Sequence, residues 1–276
     1  MQKYLDTYFD SPKLAKVMDE LPVWSAPFGL KLVDAINYKK NLTVLDIGFY
    51  TGFPLTELAM RLGESSVVYG IDPFRQAIER AKEKIDAYGI NNIKIIEGVA
   101  EFIPLADNSV DLVTSNNGIN NTDDIEKVFS ECSRVMKSGG QLVQTMNLSQ
   151  SMFEFYAQLE FVLLEMNMKR EADLMYAHIE EKRPSVEKIK TLMQRQGFII
   201  KKIEYDQFNY RFADGTTMLN YYFIRLAFMN SWIALLPVDK VEEVFSRIES
   251  RLNDDAEKHN GVKLSIPYVL IDVVKK

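Results

Sequence analysis

The chain has 276 residues, 47% hydrophobic and 26% charged, the proportions of a folded globular protein rather than a disordered one. Its 33 Lys+Arg against 39 Asp+Glu give a formal net charge of −6, which speaks against a duplex or transfer-RNA substrate, whose phosphates call for a basic face. A single cysteine, Cys132, excludes an internal disulfide and fits a reducing, cytoplasmic compartment.

The start, "MQKYLDTYFDSPK", lacks the apolar stretch of a signal peptide. Trp24 and Phe28, in "LPVWSAPFG", read as packing residues just before the first strand. From Thr43 to Leu148 short runs rich in branched residues alternate with helix-period segments. "TVLDI", "VVYGI", "IKIIE", "VDLVTS" and "QLVQTMN" read as strands, and "LTELAMRL", "RQAIERAKEKIDAYG" and "DDIEKVFSECSRVMKSGG" as helices. The second helix is expected to stop at Gly89 and the third at Gly139, each as a C-terminal glycine cap. Cys132 falls inside the third, as an inert core thiol. Such alternation implies an α/β fold, a parallel sheet covered by helices on both faces, with ligands at the carboxyl ends of the strands.

The second half reads differently. Ser149–Arg183 is a helical excursion of two helices' length, and "PSVEKIKTLMQRQGFIIKKIEYDQF" returns to a helix, a stop at Gly197 and a long strand. A second helical excursion covers Gly215 to about Asn260, with a capping-box spacing at Asp239 and Glu242. Within it, Tyr221–Val238 is too interrupted to span a membrane, and Leu219, Tyr222, Phe223, Leu226, Ile233 and Leu236 mark one wide apolar helix face. The last strand is "SIPYVLIDVV". The whole is expected to be one domain, with a core over about 40–148, 185–211 and 263–276 and a helical cap over about 1–35, 149–184 and 212–262.

The stretch "VLDIGFYTGFP" carries the most specific signal. Asp46 closes an apolar strand, and Gly48 and Gly52 let backbone amides approach a ligand closely. The helix after Pro54 offers its N-terminus to an anion. In "VVYGIDPF", Asp72 stands at the tip of the next strand, where a carboxylate accepts both hydroxyls of a ribose. These features imply a nucleoside-containing cofactor. The dinucleotide fingerprint G-x-G-x-x-G is not met, since Tyr50 and Phe53 stand where its later glycines belong. Asp46 sits badly beside a pyrophosphate and well beside an ammonium group, which S-adenosylmethionine carries.

Four segments in order, "VLDIGFYTGFP", "VYGIDPFRQAIERAKEK", "GVAEFIPLADNSVDLVTSNNGINN" and "ECSRVMKSGGQLVQTMN", make the chain resemble a class I S-adenosylmethionine-dependent methyltransferase, of the subgroup with small-molecule and quinone-pathway enzymes. The resemblance covers Leu42–Asn147 and implies a Rossmann-like seven-stranded sheet whose last strand is antiparallel. It implies that Asp46, Gly48, Phe49, Tyr50, Thr51 and Gly52 border the cofactor's methionine part and that Asp72 binds the ribose. It further places Pro73 and Phe74 beside the adenine, Val99, Ala100 and Glu101 at the adenine edge, and Asn116 and Asn117 at the cofactor and substrate mouth. Two positions depart from the family pattern. Tyr50 replaces a usual glycine, and Val99 a usual carboxylate, a loss of one hydrogen bond worth roughly 0.5–1.5 kcal/mol.

Asn117, His178 and Tyr50 are the candidate catalytic groups, and His259 reads as a solvated helix end. Tyr205, Phe208, Tyr210, Tyr221, Tyr222 and Phe223 are expected mostly in the core. No Cys or His pair has metal-ligand spacing. The expected activity is methyl transfer from S-adenosylmethionine to a small, partly apolar molecule under the cap, with no nucleic acid and no membrane span. A cofactor-binding protein without transferase activity, and a different reaction of the sulfonium, remain as alternatives. The apolar cap faces leave a homodimer interface open as well.

Overall fold

The computed structural model describes Tyr4 and residues 23–276. Residues 1–3 and 5–22, the start of the expected cap segment, lie outside the described residues. Seven strands form one sheet: β1 (Thr43–Ile47), β2 (Val67–Asp72), β3 (Ile93–Glu97), β4 (Val110–Asn116), β5 (Met136–Asn147), β6 (Phe198–Phe212) and β7 (Val262–Lys275). Their order is β3-β2-β1-β4-β5-β7-β6. The pairs among β1 to β5 are parallel, and β7 runs antiparallel to β5, with Asn147 opposite Tyr268. This is the sheet the resemblance implied. The chain leaves β1 toward β2 and returns to β4 on the other side, so the carboxyl end of β1 is a switch point where a crevice opens for ligands.

Three helices cover the central strands: α1 (Ser25–Asp34), α2 (Leu55–Leu62) and α3 (Arg75–Tyr88). Central β1 is apolar on both faces because both are covered. Val44, Leu32, Val33, Leu55, Leu58, Leu62, Ile78, Ala81, Val143 and Leu270 make one buried cluster. Residues 23–35, grouped with the cap on sequence, therefore pack on the sheet through α1, whose Leu32 and Val33 belong to this core. Edge strand β3 instead leaves Lys94 and Glu97 exposed. Gly89 caps α3 in the left-handed region, as expected.

The third helix, α4 (Ile125–Val135), ends before Gly139. Met136 is already extended and pairs with Val110, and the next paired residues are Leu112 and Gln141. Lys137–Gly140 thus bulges out of the ladder, and Gly139, at φ +78°, serves that bulge rather than a helix end. Cys132 is buried in α4, and burial raises its thiol pKa, as befits an inert thiol.

The chain groups into two compact units. One comprises residues 23–147, 184–206 and 268–276; the other comprises Tyr4, residues 148–183 and 207–267. The second, helical unit holds α5 (Phe153–Glu165) and α6 (Lys169–Lys182), while α7 (Val186–Arg195) belongs to the sheet unit. Further along the helical unit come α8 (Gly215–Asn220) and α9 (Val241–His259). Helix α5 buries Phe155, Tyr156, Leu159, Val162 and Leu163, and α9 buries Val244, Phe245, Ile248 and Leu252, each on a helix-period face.

Three local expectations fail here. No single helix spans Tyr221–Val238: a π-helical turn, Arg225–Met229, separates Tyr222–Ile224 from Asn230–Ile233. The wider turn shifts the phase, so Phe223 and Ile224 are buried before it and Met229, Trp232 and Leu236 after it, while Tyr222 is 46% exposed. The Asp239–Glu242 spacing makes no capping box, because Asp239 sits in a 3₁₀ turn and α9 starts after Lys240. Glu242 instead accepts the backbone N–H of Tyr4 at 2.6 Å, and the Tyr4 ring stacks on Phe245. Of the six aromatics expected mostly in the core, only Phe223 is buried, and Tyr205 is 62% exposed. Phe208, Tyr210 and Phe212 alternate along β6 and, with Tyr221, pack on one another while staying partly open. No helix among the described residues is long and apolar enough to cross a membrane.

Candidate cofactor site

Asp46 lies one residue before the end of β1, and its side chain is fully buried. Strand pairing sets Asp46 beside Thr114 of β4, whose hydroxyl donates to Asp46 Oδ1 at 2.6 Å. Oδ2 is buried with no hydrogen-bond partner among the described residues. Burial pushes the carboxyl pKa up to about 7; the Thr114 hydrogen bond opposes that rise and the charge of Asp72 adds to it. A buried carboxylate oxygen without a donor calls for a cation or an N–H group from outside the chain.

Gly48 follows at φ +76°, donating its N–H to Ile71 O at 2.9 Å. A side chain on Gly48 would come within 3.0 Å of Gly118 Cα, and one on Gly118 within 2.5 Å of Ile47 O. The loops leaving β1 and β4 therefore meet backbone to backbone, and only glycine permits it.

Tyr50 adopts φ +47°, the left-handed region, where a glycine would be unstrained. Its N–H donates to Asp72 Oδ2 at 2.8 Å, while the Phe74 N–H donates to Oδ1 at 2.9 Å. One carboxylate thus ties the turn after β1 to the start of α3. The Tyr50 ring stacks on Phe74, with centroids 5.6 Å apart and planes at 15°. Asp72 is 5% exposed, and burial raises its pKa against the two backbone hydrogen bonds. A carboxylate offers about four acceptor positions, so two remain.

The other residues singled out on sequence divide by what their side chains already hold. Phe49 is wholly buried in the core, so only its backbone borders the turn; Thr51 is buried and Pro73 exposed. Gly98 donates to Asp72 O, which brings Val99 and Ala100 near Asp72; Val99 is 44% exposed and Ala100 buried. Glu101 Oε1 accepts the N–H groups of Asp123 and Asp124, holding the approach to α4. Asn116 spends both ends of its amide, donating to Ser25 O and accepting from Thr145 Oγ1. Asn117 sits at φ +56° and its Oδ1 accepts the Asn147 N–H. His178 belongs to α6 in the helical unit, and burial, then Arg183 and Lys182, lower its pKa. His259 ends α9 and is exposed, with Nδ1 3.0 Å from Asp255 O.

Sequence reasoning missed three groups. Thr114 holds Asp46, and the alternation of β4 beside β1 was the available signal. Asn120 is buried with Oδ1 unpartnered, and it lay unresolved among the asparagines of "SNNGINN". Arg183 is the third. Among the described residues no group of three Cys, His, Asp or Glu side chains could hold a metal ion.

Residues 45–144 match the family model described as a methyltransferase domain. The chain is 29% identical over 187 residues to the demethylmenaquinone methyltransferase of Bacillus licheniformis, covering 64% of this chain and 78% of that one. It is 33% identical over 120 residues to that of Geobacillus kaustophilus, 44% of this chain and 51% of the relative, about half its length. Geranyl diphosphate C-methyltransferase from Streptomyces coelicolor A3(2), solved with S-adenosyl-L-homocysteine, superposes with a TM-score of 0.56 at 18% identity, over 97% of this chain and 85% of that one. The domain match, the sheet order and the relatives together make the chain similar to class I S-adenosylmethionine-dependent methyltransferases. The relatives it resembles are named as methyltransferases of demethylmenaquinone.

Proposed function

We propose that the turn after β1 holds the methionine part of S-adenosylmethionine and that the helical unit supplies the site for a small, partly apolar methyl acceptor. The observation that carries this reading is the buried, unpartnered Oδ2 of Asp46 beside a glycine turn. An ammonium group supplies the missing donor and the missing charge. The two remaining acceptor positions of Asp72 suit a pair of ribose hydroxyls, and the Tyr50–Phe74 ring pair supplies apolar surface beside the adenine position. Tyr50 on this reading covers the nucleoside side of the cofactor rather than its methionine end.

The bound sulfonium supplies an activated methyl group. What the chain must contribute is alignment with the acceptor atom and exclusion of water. The apolar and aromatic interior of the helical unit, with Phe155, Tyr156 and Trp232, supports an apolar acceptor. So do the acceptors in the relatives' names, demethylmenaquinone and geranyl diphosphate. The excess of acidic residues supports a small molecule over a nucleic acid. Native mass spectrometry of the purified protein tests this directly. Retained S-adenosylmethionine or S-adenosylhomocysteine is the expected result, and a retained nicotinamide dinucleotide overturns the reading.

A further inference from the structure

Arg183 follows the last turn of α6 and is 6% exposed. Its Nη1 is buried without a hydrogen-bond partner, and no carboxylate pairs with it among the described residues. Among the described residues this buried guanidinium therefore has no counter-charge. Its Cζ lies 5.4 Å over the face of the Tyr156 ring. A cation–π contact returns less than burial of an unpaired ion costs.

The ring under Arg183 is itself fixed. Tyr156 OH accepts from Trp232 Nε1 at 3.0 Å, and Trp232 stacks on Phe155 with centroids 3.8 Å apart. A rigid aromatic wall therefore carries a fixed, uncompensated cation, which is the make-up of a site for an apolar molecule with an anionic group.

We propose that the helical unit binds the carboxylate or phosphate group of a small apolar acid through Arg183. This rests on the methyl-transfer reading in one respect, that the acid is the methyl acceptor. The guanidinium is then a substrate-recognition group, and its lack of a carboxylate partner among the described residues is what makes it selective, since a neutral analogue leaves it unpaired.

The test uses wild type, Arg183→Met and Arg183→Gln. In the absence of ligand both variants should melt at or above the wild-type Tm, because they remove an unpaired buried charge. Calorimetric titration with octanoate and octanol, a charged and a neutral probe of equal length, should show octanoate bound at least tenfold tighter by wild type and equally by Arg183→Met. Inorganic phosphate should bind more weakly than octanoate, and S-adenosylhomocysteine affinity should stay within twofold in both variants. A Tm lowered by several degrees in both variants assigns Arg183 to the fold and overturns the proposal. So does equal binding of octanoate and octanol by wild type, or phosphate binding as tight as octanoate. A tenfold loss of S-adenosylhomocysteine affinity in Arg183→Met overturns it too, by assigning the guanidinium to the cofactor's carboxylate. Wild type that binds no S-adenosylhomocysteine refutes methyl transfer, while the octanoate–octanol comparison still decides the anion site.

Discussion

Asp46 and Arg183 are both ionisable side chains buried with one polar atom unpartnered among the described residues, but they reach that state by different routes. Asp46 is set by a run of consecutive residues: a strand, two glycines and a helix, with Thr114 fixed opposite by strand pairing. Arg183 meets Tyr156 across a helical hairpin, and Tyr156 is held by Trp232, 76 residues further along the chain. A local constellation constrains chemistry through backbone geometry. A dispersed one constrains it through packing, and so varies freely with sequence. That fits a fixed cofactor and a variable acceptor.

Removing the carboxylate of Asp72 should have the largest effect on the local constellation. On the proposed reading, Asp72→Ala takes away two ribose hydrogen bonds to a charged acceptor, each worth roughly 1.5–3 kcal/mol, so S-adenosylhomocysteine affinity should fall at least about a hundredfold. It also releases the N–H groups of Tyr50 and Phe74, so the variant should be less stable to denaturant. Affinity unchanged by calorimetry would leave Asp72 a purely structural clamp and remove half of the contrast drawn above.

The second effect is on pH. Asp46 carries its proton in the folded state up to about pH 7, whereas in the unfolded chain it ionises above its ordinary value of 3.8. Because the folded pKa is the raised one, its contribution to stability is fully present below 3.8 and is lost as pH rises to about 7. Wild type should thus lose about 3 kcal/mol from this group between pH 5 and pH 8, a slope that urea melts of Asp46→Asn should lack. An ammonium ligand favours the ionised carboxyl, so cofactor affinity should rise with pH through about 7 in wild type and stay flat in Asp46→Asn. Equal slopes in the two proteins would show that Asp46 does not titrate in this range.

In the helical unit, Trp232→Phe deletes the hydrogen bond to Tyr156 while keeping most of the ring stack on Phe155. The expected loss is about 1–2 kcal/mol in a urea melt, with S-adenosylhomocysteine affinity unchanged. A change in cofactor affinity would tie the dispersed constellation to the local one. The smallest effect is expected at Tyr50. Tyr50→Gly relieves left-handed strain of about 1–2 kcal/mol and gives up a ring stack worth about 0.5–1.5 kcal/mol, and Tyr50→Phe changes neither. Cofactor affinity in Tyr50→Phe should match wild type within a factor of about two, and a sharp gain in Tyr50→Gly would mean the ring obstructs the site.

Sequence legibility follows the same division. The strands from Thr43 to Asn147 were readable because a doubly covered parallel sheet needs short branched runs at regular spacing, and the positions of Asp46, Gly48, Gly52 and Asp72 at strand ends and turns because those depend on neighbours in the chain. Gly139 misled because a glycine after a helix-period run signals a cap, whereas the pull of Met136 into the β4 ladder ended the helix four residues sooner. The π-helical turn at Arg225–Met229 has no periodic signature, so the buried face that includes Trp232 was out of phase with the expected one. Arg183 was invisible for a related reason: a charged residue after a helix reads as solvated until Tyr156 is seen beneath it.

Calorimetric titration of the wild-type protein at pH 8 with S-adenosylhomocysteine and, separately, NADH tests the central claim most directly. The account predicts saturable one-to-one binding of S-adenosylhomocysteine, abolished or strongly weakened by Asp72→Ala, and no binding of NADH. Tight NADH binding with none of S-adenosylhomocysteine would contradict it.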